Sequence, residues 1–303
     1  MELASPARPI LTYGTYPLLA AVSGAVGWAA ATHRLGVPQS AVLALLTVGT
    51  IAFAFTIERR NPLLERWRMT RDTFVGRDLP FIGLAFAVEQ IATMGVSVVA
   101  ARLVPSGGFG PLARVPLPLQ AVVVLLGLDL LWYVYHRAAH TLPRLWRAHG
   151  VHHAPSQVYV LMHPVFHPLD LLVSRFVISL VVFRFTGATP DAVFLALAVL
   201  NLQQTISHIN SDIRTGPLNY LLVGAETHRW HHGAGERVNY GSVLPVWDMV
   251  FGTFVYEPGR VPDRLGLDDP TSYPDPRGFH ATLAWPFRRA VTPVAVGGAE
   301  TGG

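Results

Sequence analysis

Four apolar stretches, each long enough to cross a lipid bilayer, most constrain how this chain can fold. They run from Tyr13 to Thr32, from Ser40 to Ile57, from Leu79 to Val104 and from Leu117 to Tyr135. A membrane-spanning helix needs about 20 predominantly apolar residues, and it pairs all its backbone polar groups internally. Only 14% of the 303 residues are charged, whereas soluble domains have about 25%. The sequence therefore predicts an all-α, multi-pass membrane helical bundle.

A further apolar pair predicts a helical hairpin that inserts into the membrane. Its arms run from Leu169 to Phe185 and from Pro190 to Ser207, and residues 186–190 (Thr-Gly-Ala-Thr-Pro) separate them. Clusters of Gly, Pro and Thr between periodic segments are typical of turns. We expect the hairpin to enter the membrane without requiring that each arm crosses it.

Charged side chains interrupt some of the apolar stretches. Glu89 and Asp129 lie in the third and fourth stretches, and Arg175 and Arg184 lie in the first arm of the hairpin. A charge at the centre of a membrane helix costs about 2.5–3.5 kcal/mol on insertion scales. We therefore expect these side chains to face protein or water rather than lipid.

The distribution of arginine predicts how the chain is oriented. The loop between the second and third stretches carries six arginines, whereas the loop between the first and second carries only Arg34. Loops rich in basic residues lie on the cytoplasmic side of the membrane. The fourth stretch then ends at the cytoplasmic surface, directly before His136, and both ends of the hairpin lie there too. All 23 basic residues are arginine, a usage that favours a bacterial source and hence a bacterial cell membrane.

The chain contains 13 histidines and no cysteine. Without cysteine it cannot form disulfides, iron–sulfur clusters, thiolate zinc sites or cysteine nucleophiles. Any metal must therefore be held by His, Asp or Glu. The arginines are spread along the chain, so we expect contact with membrane lipids and no nucleic-acid partner.

Nine histidines are candidate metal ligands: eight have the spacing of such ligands, and His208 ends the hairpin. They are His136, His140, His149, His152, His153, His208, His228, His231 and His232. Helical residues three or four positions apart project from one face. Burying so many titratable rings without a metal would cost desolvation energy with no compensation. A single ion seldom takes more than about six ligands, so nine imidazoles predict two ions. Imidazole suits both iron and zinc. Iron is our first choice, because it could also activate O2, and zinc is the rival.

Five further residues are candidates for lining or supporting this site. His163 and His167 are either additional ligands or part of its lining. Ligating histidines usually donate their second ring N–H to a carboxylate or carbonyl, and Asp129, Asn239 and Asp248 are candidates for that role. Alternatively, Asn239 caps a turn and Asp248 forms a surface ion pair.

The order of these motifs resembles the fatty acid hydroxylase superfamily, which includes sterol desaturases, membrane fatty acid hydroxylases and alkylglycerol monooxygenases. Residues 129–140 (DLLWYVYHRAAH) resemble the family's D…Y…HR…H segment, and HPLD at 167–170 resembles its HPLE. The sequence NYG…WD…FGT between 239 and 253 resembles its C-terminal motif. Acyl desaturases also carry three histidine motifs, but with a longer spacing than the eight residues between His140 and His149. The resemblance covers residues 120–255.

This resemblance implies a di-iron centre held by the nine histidines. It also implies O2-dependent hydroxylation or desaturation of a C–H bond in a lipid or other hydrophobic substrate. In one branch of the family a further histidine lies four residues before the counterpart of His208; here that residue is Gln204. Water, Gln204 or an outlying histidine would then complete the ligand set.

Electrons would have to come from a separate donor of the ferredoxin, cytochrome or reduced-pterin type. The chain has no GxGxxG motif, haem-attachment peptide or cysteine cluster of its own. Two other functions remain open at this point: a membrane metal-dependent (zinc) hydrolase and a non-catalytic metal-binding membrane protein.

The chain divides into three expected regions. Residues 1–115 form an N-terminal transmembrane region, residues 116–257 a catalytic region of the fatty acid hydroxylase type, and residues 258–303 a polar tail. The tail is rich in Pro, Gly and Asp. We expect its last residues, from Val294 to Gly303, to be disordered.

Overall fold

The computed structural model describes residues 1–3, 9–103, 110–275 and 278–288. Within these ranges every regular element is helical, and extended pairing is limited to isolated backbone bridges. The all-α prediction is therefore confirmed. The end of the tail, for which disorder is expected, lies outside the described residues.

Twelve α-helices follow one another along the described residues. They are α1 (Pro9–Ala31), α2 (Gln39–Arg60), α3 (Arg71–Thr73), α4 (Leu79–Leu103), α5 (Leu117–Thr141), α6 (Pro143–His153), α7 (Pro168–Leu171), α8 (Ser179–Thr186), α9 (Pro190–Ser207), α10 (Ala225–His231), α11 (Val246–Val250) and α12 (Phe279–Ala284). Four helical stretches of the described chain are long and apolar enough to span a membrane: Pro9–Ala31, Gln39–Arg60, Glu65–Val96 and Leu117–Thr141. These are the four predicted spans, although the third begins earlier than its hydropathy suggests, because short helical turns precede α4.

Helix α9 lies at the centre of the bundle and packs against α1, α2 and α5. Small side chains make this packing close: Ala196 and Ala198 are buried, and Gly27 of α1 faces Ala198. Small residues let helix backbones approach where lipid supplies no hydrophobic drive for association. At the other end of α9, Leu202 and Ile206 pack against α1 and α2. This end of α9 leads directly to His208.

The predicted hairpin is present, but its first arm is not a continuous α-helix. It consists of α7, a π-helical segment (Leu172–Ile178) and α8. Gly187 in the turn has φ +59°, and a Cβ there would lie 2.6 Å from the Cα of Gly110, so only glycine fits. Side chains from α4 pack against the π-helical segment. Single π-helical turns occur often at functional sites, and this one carries Arg175.

The corner between α5 and α6 brings two histidine motifs together. Leu142 is extended, with φ −98° and ψ 116°, and Pro143 is the first residue of α6. Proline disfavours helical geometry in the preceding residue but suits the first helical position. The chain therefore turns sharply after His140, and the end of α6 returns towards the end of α5.

Candidate metal centre

The structure brings the nine predicted histidines together in two groups. The first contains His136, His140, His149, His153 and His231, and the second contains His152, His208, His228 and His232. Within each group the candidate ligand atoms lie within 4.8 Å of one another. Helices α5, α6 and α10 and the end of α9 supply these rings. The grouping cuts across the sequence motifs, because neighbours such as His152 and His153 fall in different groups.

The rings are removed from water, and burial lowers the pKa of several of them. Eight of the nine are buried and His140 is half-buried. Desolvation lowers the pKa of His231 to about 3. Burial, reinforced by His228 and His152, also holds the pKa of His232 well below its ordinary value. Neutral imidazole is the form that binds metal ions.

Backbone carbonyls fix the orientation of several rings. Four Nδ1 atoms pair with carbonyl oxygens: His136 with Tyr240 (2.7 Å), His152 with Val165 (3.2 Å), His208 with Gln204 (2.9 Å) and His231 with Val238 (2.9 Å). A carbonyl only accepts, so Nδ1 carries the proton and donates it. The Nε2 atom of each of these rings then presents a lone pair. This is the usual arrangement of a metal-binding histidine and its supporting partner.

The Nε2 atoms meet in a way that fits bound cations. Those of His152 and His208 lie 3.1 Å apart, and both rings carry their proton on Nδ1, so two lone pairs face each other. That contact is repulsive unless a cation lies between the nitrogens. Ligand atoms on one ion are separated by about 3 Å when each metal–nitrogen bond is about 2.1 Å. In the first group, the buried Nε2 atoms of His136, His140 and His149 have no hydrogen-bond partner within the described part of the chain.

The loop that supplies two of these carbonyls is itself held by Asn239 and Asp248. Asn239 has φ +54° and donates its amide to the carbonyls of Thr227 and Val255, each at 2.8 Å. The Asp248 carboxylate accepts the N–H groups of Tyr240 and Gly241, each at 2.7 Å. The sequence predicts both side chains as direct acceptors of a ring N–H. Instead they act through the backbone, because the carbonyls of this loop already occupy the ring nitrogens.

Asp129 holds the next part of the same loop. Its carboxylate accepts the N–H groups of Ser242, Val243 and Leu244, at 3.0, 2.8 and 3.2 Å. It is a third side chain that supports the site through the backbone rather than by contact with a ring. Because Asp248 is buried, it does not form the surface ion pair that was the alternative for it.

The three remaining candidates for lining the site or completing the ligand set, His163, Gln204 and His167, lie in different surroundings. His163 lies beside the second group, with its ring centre 5.4 Å from that of His208, and it lines a cavity there. The Gln204 side chain donates to Ser242 Oγ at 2.7 Å, and its backbone carbonyl orients His208. His167 is in neither group: its Nδ1 accepts the N–H of Leu169 at 3.2 Å, and its Nε2 donates to the Leu283 carbonyl at 3.0 Å.

We therefore expect His167→Ala to leave the metal content unchanged and to lower stability. Removing a ring with both nitrogens engaged leaves buried backbone groups unpaired, at about 1–3 kcal/mol each. Metal analysis and thermal unfolding of the purified protein in detergent measure the two effects. Loss of metal from this variant would mean that His167 belongs to the ligand set.

Sequence analysis missed Asp170 and two aromatic residues. Asp170 is buried, accepts a hydrogen bond from Tyr135, and has a carboxylate oxygen 3.4 Å from Nδ1 of His149. Asp170 belongs to the HPLD motif, but in that motif the sequence analysis considered His167, and not Asp170, as a candidate site residue. The ring of Phe166 stacks on that of His152, with 4.1 Å between the ring centres, and the ring centre of Trp132 lies 5.0 Å from that of His136. Nothing in the sequence separates these aromatic side chains from ordinary core residues.

Cavities approach the histidines from two sides. Between α5, the π-helical segment and α9 lie two small cavities of about 40 Å³ each, and one of them reaches the second histidine group. A larger cavity of about 350 Å³ reaches His140, His153 and His231 and is lined by charged residues that include Glu236 and Arg237. The site is therefore bordered by a small, largely apolar cavity on one side and by a larger polar cavity on another.

Comparison with known proteins gives consistent matches. Residues 121–253 match the model of the fatty acid hydroxylase family. The chain is 32% identical to the ornithine lipid hydroxylase OlsE of Rhizobium tropici, over 80% of this chain and 74% of that protein. It is 29% identical to alkylglycerol monooxygenase of Xenopus tropicalis, over 54% of this chain and 37% of that protein. It is 24% identical to lathosterol oxidase of Mus musculus, over 68% of each chain. No solved structure matches the chain.

Proposed function

Because this chain belongs to the fatty acid hydroxylase family, we propose that it is a membrane-bound di-iron oxidoreductase that hydroxylates or desaturates a C–H bond of a lipid. Hydroxylation places one atom of O2 in the product and releases the other as water, with two electrons and two protons from an external donor. Desaturation consumes the same reductant and releases both oxygen atoms as water. The observation that carries the proposal is the pair of buried histidine groups at the end of an apolar cavity.

The chain's own residues position and protect this chemistry. Two iron ions would supply the redox chemistry that activates O2 towards an unactivated C–H bond. The nine imidazoles would hold them, and the carbonyls of Val238 and Tyr240 keep His231 and His136 in their orientation. Phe166 and Trp132 cover the rings from the apolar side and exclude water from the reacting carbon.

The substrate class is a lipid whose chain enters from the bilayer. By their names, the three relatives act on an ornithine lipid, on alkylglycerols and on a sterol. The cavity between α5 and α9 is lined by Leu128, Leu197 and Leu200, which suit a hydrocarbon chain. We therefore propose that residues 116–257 form the catalytic region and that the substrate reaches it laterally.

The histidine site lies at the cytoplasmic surface in this proposal. Glu58, near the end of α2, accepts the N–H groups of Val160 and Asn210, at 3.0 and 3.2 Å. These bonds bring the arginine-rich loop after α2 to the same end of the bundle as His208. Since arginine-rich loops are cytoplasmic, this arrangement supports a site on the inner face of a bacterial membrane, where a ferredoxin, cytochrome or reduced pterin could supply electrons.

Metal analysis and a labelled-oxygen assay test this function together. We expect protein purified in detergent from iron-supplemented cells to hold about two irons per chain. With a reductant and a lipid mixture, isotopically labelled O2 should place label in a hydroxylated lipid, or be consumed as an alkene forms.

The rival functions give different results in the same experiment. Two zinc ions with lipid cleavage that needs no reductant would indicate a hydrolase. Bound metal without turnover under any reductant would indicate a metal-binding protein. Either result would overturn the proposal.

A further inference from the structure

The two small cavities meet at a neck formed by side chains that line both. These are Trp132, Ser174, Arg175, Gln204 and Ser242. On one side of the neck, the cavity reaches the rings of His152, His208 and His228. On the other side it is lined mainly by leucine and isoleucine side chains of α5, the π-helical segment and α9. The neck therefore separates an apolar compartment from the histidines.

Arg175 is the cationic residue of the neck, and its guanidinium is incompletely paired. One of its terminal nitrogens lies 3.5 Å from Oε1 of Gln204. Among the residues that the structure describes, its buried Nε atom has no hydrogen-bond partner. The same Nε lies 3.9 Å from a carboxylate oxygen of Glu89, at the edge of ion-pair range, and the Glu89 side chain is 51% exposed. Asp129 also lines the apolar compartment, but three backbone N–H groups occupy its oxygens. An apolar cavity thus contains a cation with donors available for a ligand.

We propose that Arg175 binds the anionic group, a carboxylate or phosphate, of the lipid substrate. A guanidinium offers a planar set of donors that matches the oxygens of either group and binds them more strongly than a neutral donor would. A cation in a largely apolar cavity is costly unless it is well paired, and an anionic headgroup would pair it. The substrate chain then lies in the apolar compartment between α5 and α9. This inference rests on the proposed function, because it names the substrate class of the same site.

The position of Arg175 also determines which carbon faces the histidines. Gln204 contacts Arg175 through its side chain and His208 through its backbone carbonyl, at 3.5 and 2.9 Å. An anion held at the neck is therefore close to the second histidine group. The oxidised C–H bond lies near the anionic group and not in the middle of a long chain.

Equilibrium binding tests charge recognition without requiring turnover. The probes are oleate and oleyl alcohol, which have the same hydrocarbon chain and differ in the anionic group, added to the full-length protein in a neutral detergent. We expect wild type to prefer oleate, and Arg175→Gln to bind oleate about 10- to 100-fold more weakly with oleyl alcohol unchanged. Arg175→Lys should retain part of the preference. Glu89→Gln, which removes the neighbouring carboxylate, should bind oleate at least as tightly as wild type.

Three results would overturn the inference. They are a wild type that does not prefer oleate to oleyl alcohol, an equal loss of affinity for both probes in Arg175→Gln, and displacement of bound oleate by acetate. The last would mean a site for small anions and not for a lipid. If Arg175→Gln fails to fold, absence of a wild-type preference still overturns the inference, and Arg175→Lys, which should retain only part of the preference, tests the assignment to Arg175. A preference that depends on Arg175, in a protein without oxygenase activity, would contradict the proposed function and leave the inference intact.

Discussion

Replacing His152 or His231 with alanine is expected to remove one of two metal ions and to abolish turnover. The residues belong to different groups, so each substitution should empty one group and spare the other. Loss of a supporting hydrogen bond typically costs 10- to 100-fold in metal affinity, and loss of the ligand itself should cost more. Each variant should therefore retain about one iron of two, with product formation below detection, because the proposed O2 activation uses both ions. Iron analysis and the labelled-oxygen assay measure the two effects.

His163→Ala is the matched control for this experiment. His163 is also a cavity-lining histidine, with its ring centre 5.4 Å from that of His208, but it belongs to neither group. Its removal should leave about two irons bound. If His152→Ala and His163→Ala lost the same amount of iron, the four-histidine group would not be a separate metal site. If either ligand variant lost both ions, the groups would form one cooperative centre and not two.

The sequence predicted the spans, the hairpin and eight of the nine histidines for one reason: each depends on local spacing. Apolar length identifies a helix that can cross a bilayer, and intervals of three and four place rings on one helix face. The division into two groups could not be predicted, because it depends on how α6 and α10 meet in three dimensions. His152 and His153 are neighbours in sequence and belong to different groups.

The supporting residues were harder to predict, because their partners are backbone groups. Every residue has a carbonyl, so no sequence pattern identifies those of Val238 and Tyr240 as partners of His231 and His136. Asp129 and Asp248 were found from their positions near the motifs, but the atoms they contact depend on a loop conformation. Arg175 was visible only as a charge that interrupts an apolar arm. Its role depends on the π-helical segment, which packing determines.

Loss of the Asp248 carboxylate is expected to destabilise the protein and to weaken metal binding together. In Asp248→Ala the N–H groups of Tyr240 and Gly241 lose their acceptor, and so does the hydroxyl of Thr253. Unpaired buried groups cost about 1–3 kcal/mol each, so the free energy of unfolding should fall by several kcal/mol. Because Tyr240 also accepts from His136, metal affinity should fall about 10- to 100-fold. Asp248→Asn retains one acceptor oxygen and should lie between wild type and Asp248→Ala in both properties.

A comparison with an exposed aspartate separates this effect from a general loss of charge. Asp268 has a side chain that is 81% exposed and an ion pair with Arg264 at 3.7 Å, and Asp268→Ala should change stability by no more than about 0.5 kcal/mol. Thermal unfolding in detergent and titration of the iron-depleted protein with Fe²⁺ measure the two properties. If Asp248→Ala lost stability but bound iron as tightly as wild type, the loop would not orient His136. A parallel loss of both would show that one buried carboxylate maintains the fold and the metal site through the same segment of backbone.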